Sequence, residues 1–308
     1  MELRIQRSML ILPAHVRPFV EKAYLRDADA VVLDLEDSVP PAKKKEARES
    51  LKDAVEMAGR GSADVFVRVN ADESLLEEDL RSAVQPGLHG IFLPKVETAE
   101  HVISIENRIA ELETAAGLNP GSVKISVHIE SPLGILNMRE IAAAVSRIES
   151  MSLGVDDYCM ELGIEPSDDN IELLWPLSKM VIVCRSVGII PLGTLGTVAR
   201  LSDIDAFERA AEMGRQLGCQ GAFCVHPDQV AILNRVFTPS PGRIIQAKNV
   251  IAAFEQGRIE GRAAIKLNDQ MVDTPVYKRA KLLLQRAEAI EQLEREKAAA
   301  IARIKDKD

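Results

Sequence analysis

The sequence predicts an α/β protein, a closed (β/α)8 barrel over residues 1–238 with a C-terminal helical extension over residues 239–308. Three observations carry this expectation. Short apolar runs rich in β-branched residues alternate with longer amphipathic segments from residue 8 to about residue 237, the pattern that builds a parallel sheet covered by helices. The runs are apolar at nearly every position, as strands buried on both faces are. They number eight, in units of roughly 29 residues, which fits the size of a TIM barrel. The main alternative, an open doubly wound sheet, would be signalled by a GxGxxG turn opening a helix, and the chain contains none.

The strand-like runs span residues 8–12, 30–35, 64–69, 90–93, 124–129, 151–155, 189–192 and 222–225. Between them, apolar residues three or four apart predict helices over 18–26, 43–58, 99–116, 135–147, 171–187 and 204–217. The extension begins near PSPG and predicts a helix over 244–256, then a polar connector, AAIKLNDQMVDTP, then a charged helix from Val276. That last segment carries an apolar stripe through Leu283, Ala287, Ile290, Leu293 and Ile301. Its mixed charge reads as a long solvated helix with a frayed end.

Composition narrows the function. With 46% apolar and 28% charged residues among 308, the chain falls in the globular range. No apolar stretch approaches the ~20 residues that a membrane-spanning helix needs. Net charge is −9, from 47 Asp plus Glu against 38 Lys plus Arg, and an acidic surface repels a phosphate backbone, so neither nucleic acid nor membrane is expected as a partner. The four cysteines, Cys159, Cys184, Cys219 and Cys224, form no CxxC pair and read as reduced, buried thiols. The N-terminal segment shows no export pattern, so a cytoplasmic location is expected.

In a barrel of this kind the chemistry sits at the C-terminal ends of the strands. Charged residues collect there. The second strand ends in LDLED, with Asp34 and Glu36 on one face by the two-residue period and Asp37 beyond. The next ends carry Arg68 in VRVN, Lys95 in FLPK, Glu130 in HIES, Asp156 and Asp157 in LGVDD, and His226 in VHP. Ionised groups near buried strands are costly unless paired or metal-bound, so their accumulation points to a shared site. Carboxylates without convergent Cys or His suit a hard cation, Mg²⁺ with Mn²⁺ as the alternative, which takes one or two protein carboxylates and leaves positions for ligand oxygens. Glu130 and Asp157, on neighbouring strand ends, suit direct ligation, while Glu36 and Asp37 could hold metal-bound waters. Arg68 offers a planar fork for a carboxylate or a polarised carbonyl oxygen. His128 reads as a core histidine, and His226, in HPDQ, as a helix start. Asp273 alone reads as a turn aspartate before Thr274 and Pro275.

Taken in order, RSMLILPAHVRPFVEKA, DADAVVLDLEDSVP, VFVRVN, GIFLPKVETAEHV, HIESPLGILNMREIA, LGVDD, VHPDQVAILNRVFTPSP and NDQMVDTPVYKRA resemble blocks of the citrate lyase beta subunit family, the CoA-ester lyases grouped with the HpcH/HpaI aldolases. The resemblance implies a metal-dependent lyase that cleaves a 3-hydroxyacyl thioester, such as malyl-CoA or citramalyl-CoA, by a retro-Claisen reaction to acetyl-CoA or a homologue plus a 2-oxoacid. It implies Glu130 and Asp157 as metal ligands, Arg68 facing the substrate carbonyl, and Arg17 and Lys22 meeting the CoA phosphates. It also implies that Asp273 acts in the site of a neighbouring subunit, hence a homo-oligomer, a trimer or a multiple of it. Two other readings are a citrate lyase beta subunit working on a thioester bound to an acyl-carrier protein, and an aldolase of a free hydroxy-oxoacid. The seventh strand, GIIPLGTLGTVARLSDID, and the Ser131-Pro132 turn depart from the family pattern and bear on substrate choice.

Overall fold

The computed structural model describes residues 4–198, 203–268 and 270–306. Eight parallel strands form the barrel: β1 (Ser8–Pro13), β2 (Ala30–Asp34), β3 (Asp64–Arg68), β4 (Gly90–Leu93), β5 (Lys124–Ile129), β6 (Ile148–Leu153), β7 (Ile190–Leu192) and β8 (Ala222–Cys224). They pair in the order β7-β6-β5-β4-β3-β2-β1-β8. A single parallel bridge between Leu192 and Gly221 draws β7 towards β8, so the barrel is nearly closed. Gly221 permits this approach, because a Cβ there would lie 1.7 Å from the Gln6 carbonyl oxygen.

Around the strands lie α1 (Arg17–Val20), α2 (Lys44–Gly59), α3 (Glu73–Ala83), α4 (Ala99–Ala115), α5 (Pro132–Leu136), α6 (Met138–Ala142), α7 (Val155–Leu162), α8 (Ile171–Val187), α9 (Ile204–Leu217) and α10 (Pro227–Val236). The main core fills the layer between sheet and helices, from Leu10 and Val31 to Leu233. A second, smaller core lies inside the barrel, where Met9, Val32, Phe66, Phe92, Leu192 and Phe223 pack together. Side chains of alternate strands meeting in layers make this interior a plug rather than a pore. The space above it belongs to the strands' C-terminal ends.

The extension holds α11 (Pro241–Ile259), an antiparallel hairpin of β9 (Ile265–Leu267) and β10 (Gln270–Val272), and α12 (Thr274–Lys305). It has a core of its own, with Ala247, Val250, Phe254, Val272 and Ala280 buried.

Several elements differ from the sequence expectation. The helix expected over 135–147 is two short helices, because Ser131 caps an earlier start at Pro132 and the Asn137 amide turns to the Glu97 carbonyl at 2.8 Å. The first helical segment is one α turn and a 3-10 turn over Ala23–Leu25. The sixth strand ends at Leu153, and Val155 opens α7, which places Asp157 in a helix's first turn rather than on a strand end. The last helix is not simply solvated. It crosses the base of the barrel, with Ile290, Lys297 and Ala300 buried and the Lys297 ammonium 2.6 Å from Asp29.

Candidate active site

The site is built on strand register. Asp34, the last residue of β2, lies opposite Arg68, the last residue of β3. The Arg68 guanidinium meets it bidentately, with Nε 2.6 Å and Nη2 2.7 Å from the two carboxylate oxygens. Asp34 is fully buried and also accepts from the Glu36 and Ser38 amides at 2.9 and 3.0 Å. These fixed donors hold its carboxyl below the ordinary value despite its burial. Arg68 is thereby locked, with Nη1 left to face Glu36 at 3.2 Å and Asp37 at 3.6 Å.

Glu36 is the less satisfied partner. It is 5% exposed, one of its oxygens has no well-aligned hydrogen bond, and burial raises its carboxyl above the usual range. Lys95 approaches it at 3.3 Å from the end of β4. Lys95 holds a left-handed backbone, φ 52°, a strained conformation for a non-glycine residue that aims the ammonium at the rim.

Glu130 follows β5 and carries the largest anomaly. It is 4% exposed; one carboxylate oxygen meets His128 Nε2 at 3.1 Å, and the other has no hydrogen-bond partner. Burial first, then the charges of Asp157 and Glu36, push its carboxyl up to about 8. His128 is pushed down to about 3 by burial and by the nearby Arg68 and Lys95. The imidazole is therefore neutral, and its single proton serves one of two contacts, Nε2 with Glu130 at 3.1 Å or Nδ1 with the Ser152 hydroxyl at 2.5 Å. Gly154 clears room for both, since a Cβ there would stand 2.6 Å from Glu130 Cγ and 2.8 Å from His128 Nε2.

These groups border a cavity of about 490 Å³, whose walls include Asp37, Arg68, His128, Glu130, Asp156 and Asp157. Its floor and far wall are apolar, from Ile11, Leu153, Leu192 and Phe223. The seventh-strand segment contributes small residues, Gly193, Thr194 and Gly196, and Thr197 donates to Asp156 at 2.8 Å.

The structure thus gathers Glu36, Asp37, Arg68, Glu130 and Asp157 at one rim. Arg17 and Lys22 are exposed in the segment that follows β1, where Arg17 pairs with Glu21 at 2.6 Å, and neither lines the cavity. Asp273 lies apart from the cavity of its own chain, as the N-cap of α12, accepting from the Val276 amide at 3.2 Å. His226 caps α10 and forms a capping box with Gln229. Sequence reasoning missed two residues that organise the site: Asp34 as the anchor of Arg68, and Gly154 as the space for Glu130. LDLED and LGVDD were the available signals.

A divalent cation fits what is here. The described residues contain no cluster of three or more His, Cys, Asp or Glu side chains set for a metal, so an all-protein cage is not the arrangement. Glu130 and Asp157 offer two carboxylates, one with an orphaned oxygen in a desolvated setting, and that is the donor set of an ion that keeps positions for water and ligand oxygens.

Comparison with known proteins shows the family. The chain is 36% identical over 286 residues to the citrate lyase subunit beta of Escherichia coli K12, covering 92% of this chain and 94% of that one. It is 31% identical over 306 residues to the L-malyl-CoA/beta-methylmalyl-CoA lyase of Rhodobacter capsulatus, covering 92% and 95%. Among solved structures it is similar to Mycobacterium tuberculosis CitE in complex with magnesium, acetoacetate and coenzyme A, with 26% identity, a TM-score of 0.75, and coverage of 93% of this chain and 100% of that one. The family profile described as HpcH/HpaI aldolase/citrate lyase matches residues 7–227, and the chain belongs to that family.

Proposed function

We propose that this carbon–carbon lyase cleaves a 3-hydroxyacyl-CoA thioester bearing a second carboxylate, by a divalent-cation-dependent retro-Claisen reaction. The observation that carries the reading is Glu130: a buried carboxylate with one unpartnered oxygen, held against Asp157 in a cavity that Arg68 also borders.

Glu130 and Asp157 would hold the cation, Mg²⁺, whose Lewis acidity polarises the hydroxyl and carboxylate oxygens of the portion released as a 2-oxoacid. As the hydroxyl proton passes to a water ordered at the acidic rim and the carbon–carbon bond breaks, the electron pair of that bond passes to the thioester as an enolate. Arg68 is held by Asp34 and opposes that charge, a fixed electrostatic aid of about 3 kcal/mol in comparable sites. Neutral His128 keeps Glu130 oriented without adding a charge. Glu36 and Asp37 complete the acidic side of the rim and would order waters there. Arg17 and Lys22, in the exposed segment after β1, would meet the CoA phosphates. Asp273 of a second copy would protonate the enolate carbon, which makes a homo-oligomer the working form.

Purified protein with magnesium should cleave at least one of malyl-, citramalyl- and methylmalyl-CoA, and Asp157→Asn or chelation should remove the activity. No cleavage of any of the three at any metal concentration would reject the substrate class.

One observation favours a second reading. The citrate lyase beta relatives are 33–36% identical and the malyl-CoA lyase relatives 30–32%. A beta subunit would act on a citryl thioester carried by an acyl-carrier protein. Activity on the carrier-bound thioester alone would select that reading over free CoA esters.

A further inference from the structure

A second cavity of about 490 Å³ lies at the opposite end of the barrel, where the C-terminal ends of α8 and α9 meet α11 and α12. Five arginines border it: Arg185, Arg215, Arg243, Arg279 and Arg286. No Asp or Glu among the described residues lines it, in a chain whose net charge is −9. Arg215 pairs with Glu212 at 2.6 Å, but the other four form no ion pair with the described residues.

Helix capping accounts for only part of this. Arg185 sits in the last turn of α8 and reaches the Gly218 carbonyl at 3.3 Å, a normal place for a cation. Arg243 occupies the first turn of α11, the positive end of a 19-residue helix, where a cation is disfavoured. Arg286 is partly buried and, among the described residues, donates to the Gln220 and Phe237 carbonyls, at 2.7 and 3.3 Å. Burial and the charges of Arg7 and Arg185 lower its guanidinium to about 10. Desolvation and like charge both act on Arg286 here, and an anion held among the exposed guanidinium groups around it would relieve both. A smaller hollow shares Arg243, Arg279 and Leu283 and lengthens the basic surface.

We propose that this cavity is a binding site for a small molecule carrying at least two phosphate groups, held by the guanidinium groups of Arg185, Arg243, Arg279 and Arg286. Planar guanidinium forks match phosphate oxygens bidentately. Leu282, Leu283 and Pro239 supply an apolar wall for an organic body attached to the phosphates. The ligand would clamp α11 and α12 to the barrel helices, on the helix whose N-cap is Asp273. The site is thus distinct from the rim and does not depend on the lyase reading.

The test is calorimetric titration of the metal-free full-length protein with inorganic pyrophosphate and, separately, ADP, at constant ionic strength set with potassium chloride. Saturable binding is expected, weakened at least tenfold in Arg243→Gln/Arg279→Gln, whose side chains are exposed and whose fold is not at stake. Arg81→Gln, on the exposed face of α3, should leave it unchanged. Equal affinities for the two ligands assign recognition to the phosphates alone; tighter ADP binding assigns part of it to the apolar wall. Absence of saturable binding, loss that follows Arg81→Gln instead, or a double variant that changes oligomeric state with pyrophosphate affinity intact would each overturn the proposal.

Discussion

Two buried carboxylates, Asp29 at the base of the barrel and Glu130 at its rim, are treated in opposite ways. At the base, Arg7 is 1% exposed and forks onto Asp29 with Nε 2.8 Å and Nη2 2.9 Å from its oxygens; Lys297 adds a contact at 2.6 Å, and Glu294 takes Arg7 Nη1 at 2.8 Å. Desolvation opposes the Asp29 carboxylate, but Arg7 and Lys297 outweigh it and hold the group below its ordinary range. At the rim, Glu130 is similarly buried and ends with an oxygen that has no partner and a carboxyl raised to about 8. Partners fixed by the fold make a charge structural; partners left out make it available to a ligand.

The comparison can be broken by substitution. Asp29→Asn leaves Arg7 and Lys297 without the buried counter-charge they share, with only the exposed Glu294 and Asp27 beside them, and should cost about 3–5 kcal/mol in denaturant unfolding; a loss under 1 kcal/mol would mean that the base is not held by this network. The same variant sharpens the pH behaviour. Because Asp29 titrates lower folded than unfolded, its contribution is present above the unfolded value of about 3.9 and is lost as pH falls through the folded one. Asp29→Asn should therefore flatten the acid limb of stability against pH.

Glu130→Gln should do the reverse of Asp29→Asn. In metal-free protein near pH 7 it removes the cost of protonating a buried carboxyl on folding, which grows as pH rises from the unfolded value towards the folded one, and should raise stability by about 1–3 kcal/mol while abolishing lyase activity. Destabilisation as large as that of Asp29→Asn would erase the contrast between the two ends. Gly154→Ala pushes a methyl group against Glu130 and should cost about 1–3 kcal/mol, with a fall in kcat that exceeds any rise in KM. His226→Ala removes only a helix cap and should cost about 1 kcal/mol with kcat within twofold of the parent.

The barrel was legible because parallel strands buried on both faces are continuous apolar runs, and the eight expected strands match those found to within three residues at either end. Short helices were not legible. In α3, ESLLEEDLRSA, the buried Leu76, Leu80 and Ala83 form a narrow stripe in an acidic segment, and α7 starts two residues after a strand ends, so its first turn reads as strand. The hairpin of β9 and β10 has strands of three residues, too short for any period. The acidic rim could be read because each carboxylate follows a strand. The clamp of Asp34 on Arg68 could not, since it depends on register between segments 34 residues apart. The docking of α12 likewise rests on Lys297 meeting Asp29, a pairing of two ordinary charges 268 residues apart.

Calorimetric titration of the metal-free protein with magnesium tests the central claim most directly. One saturable site is predicted for the parent chain, lost in both Glu130→Gln and Asp157→Asn. Binding that persists unchanged in both variants would contradict the assignment of the cation to the barrel rim.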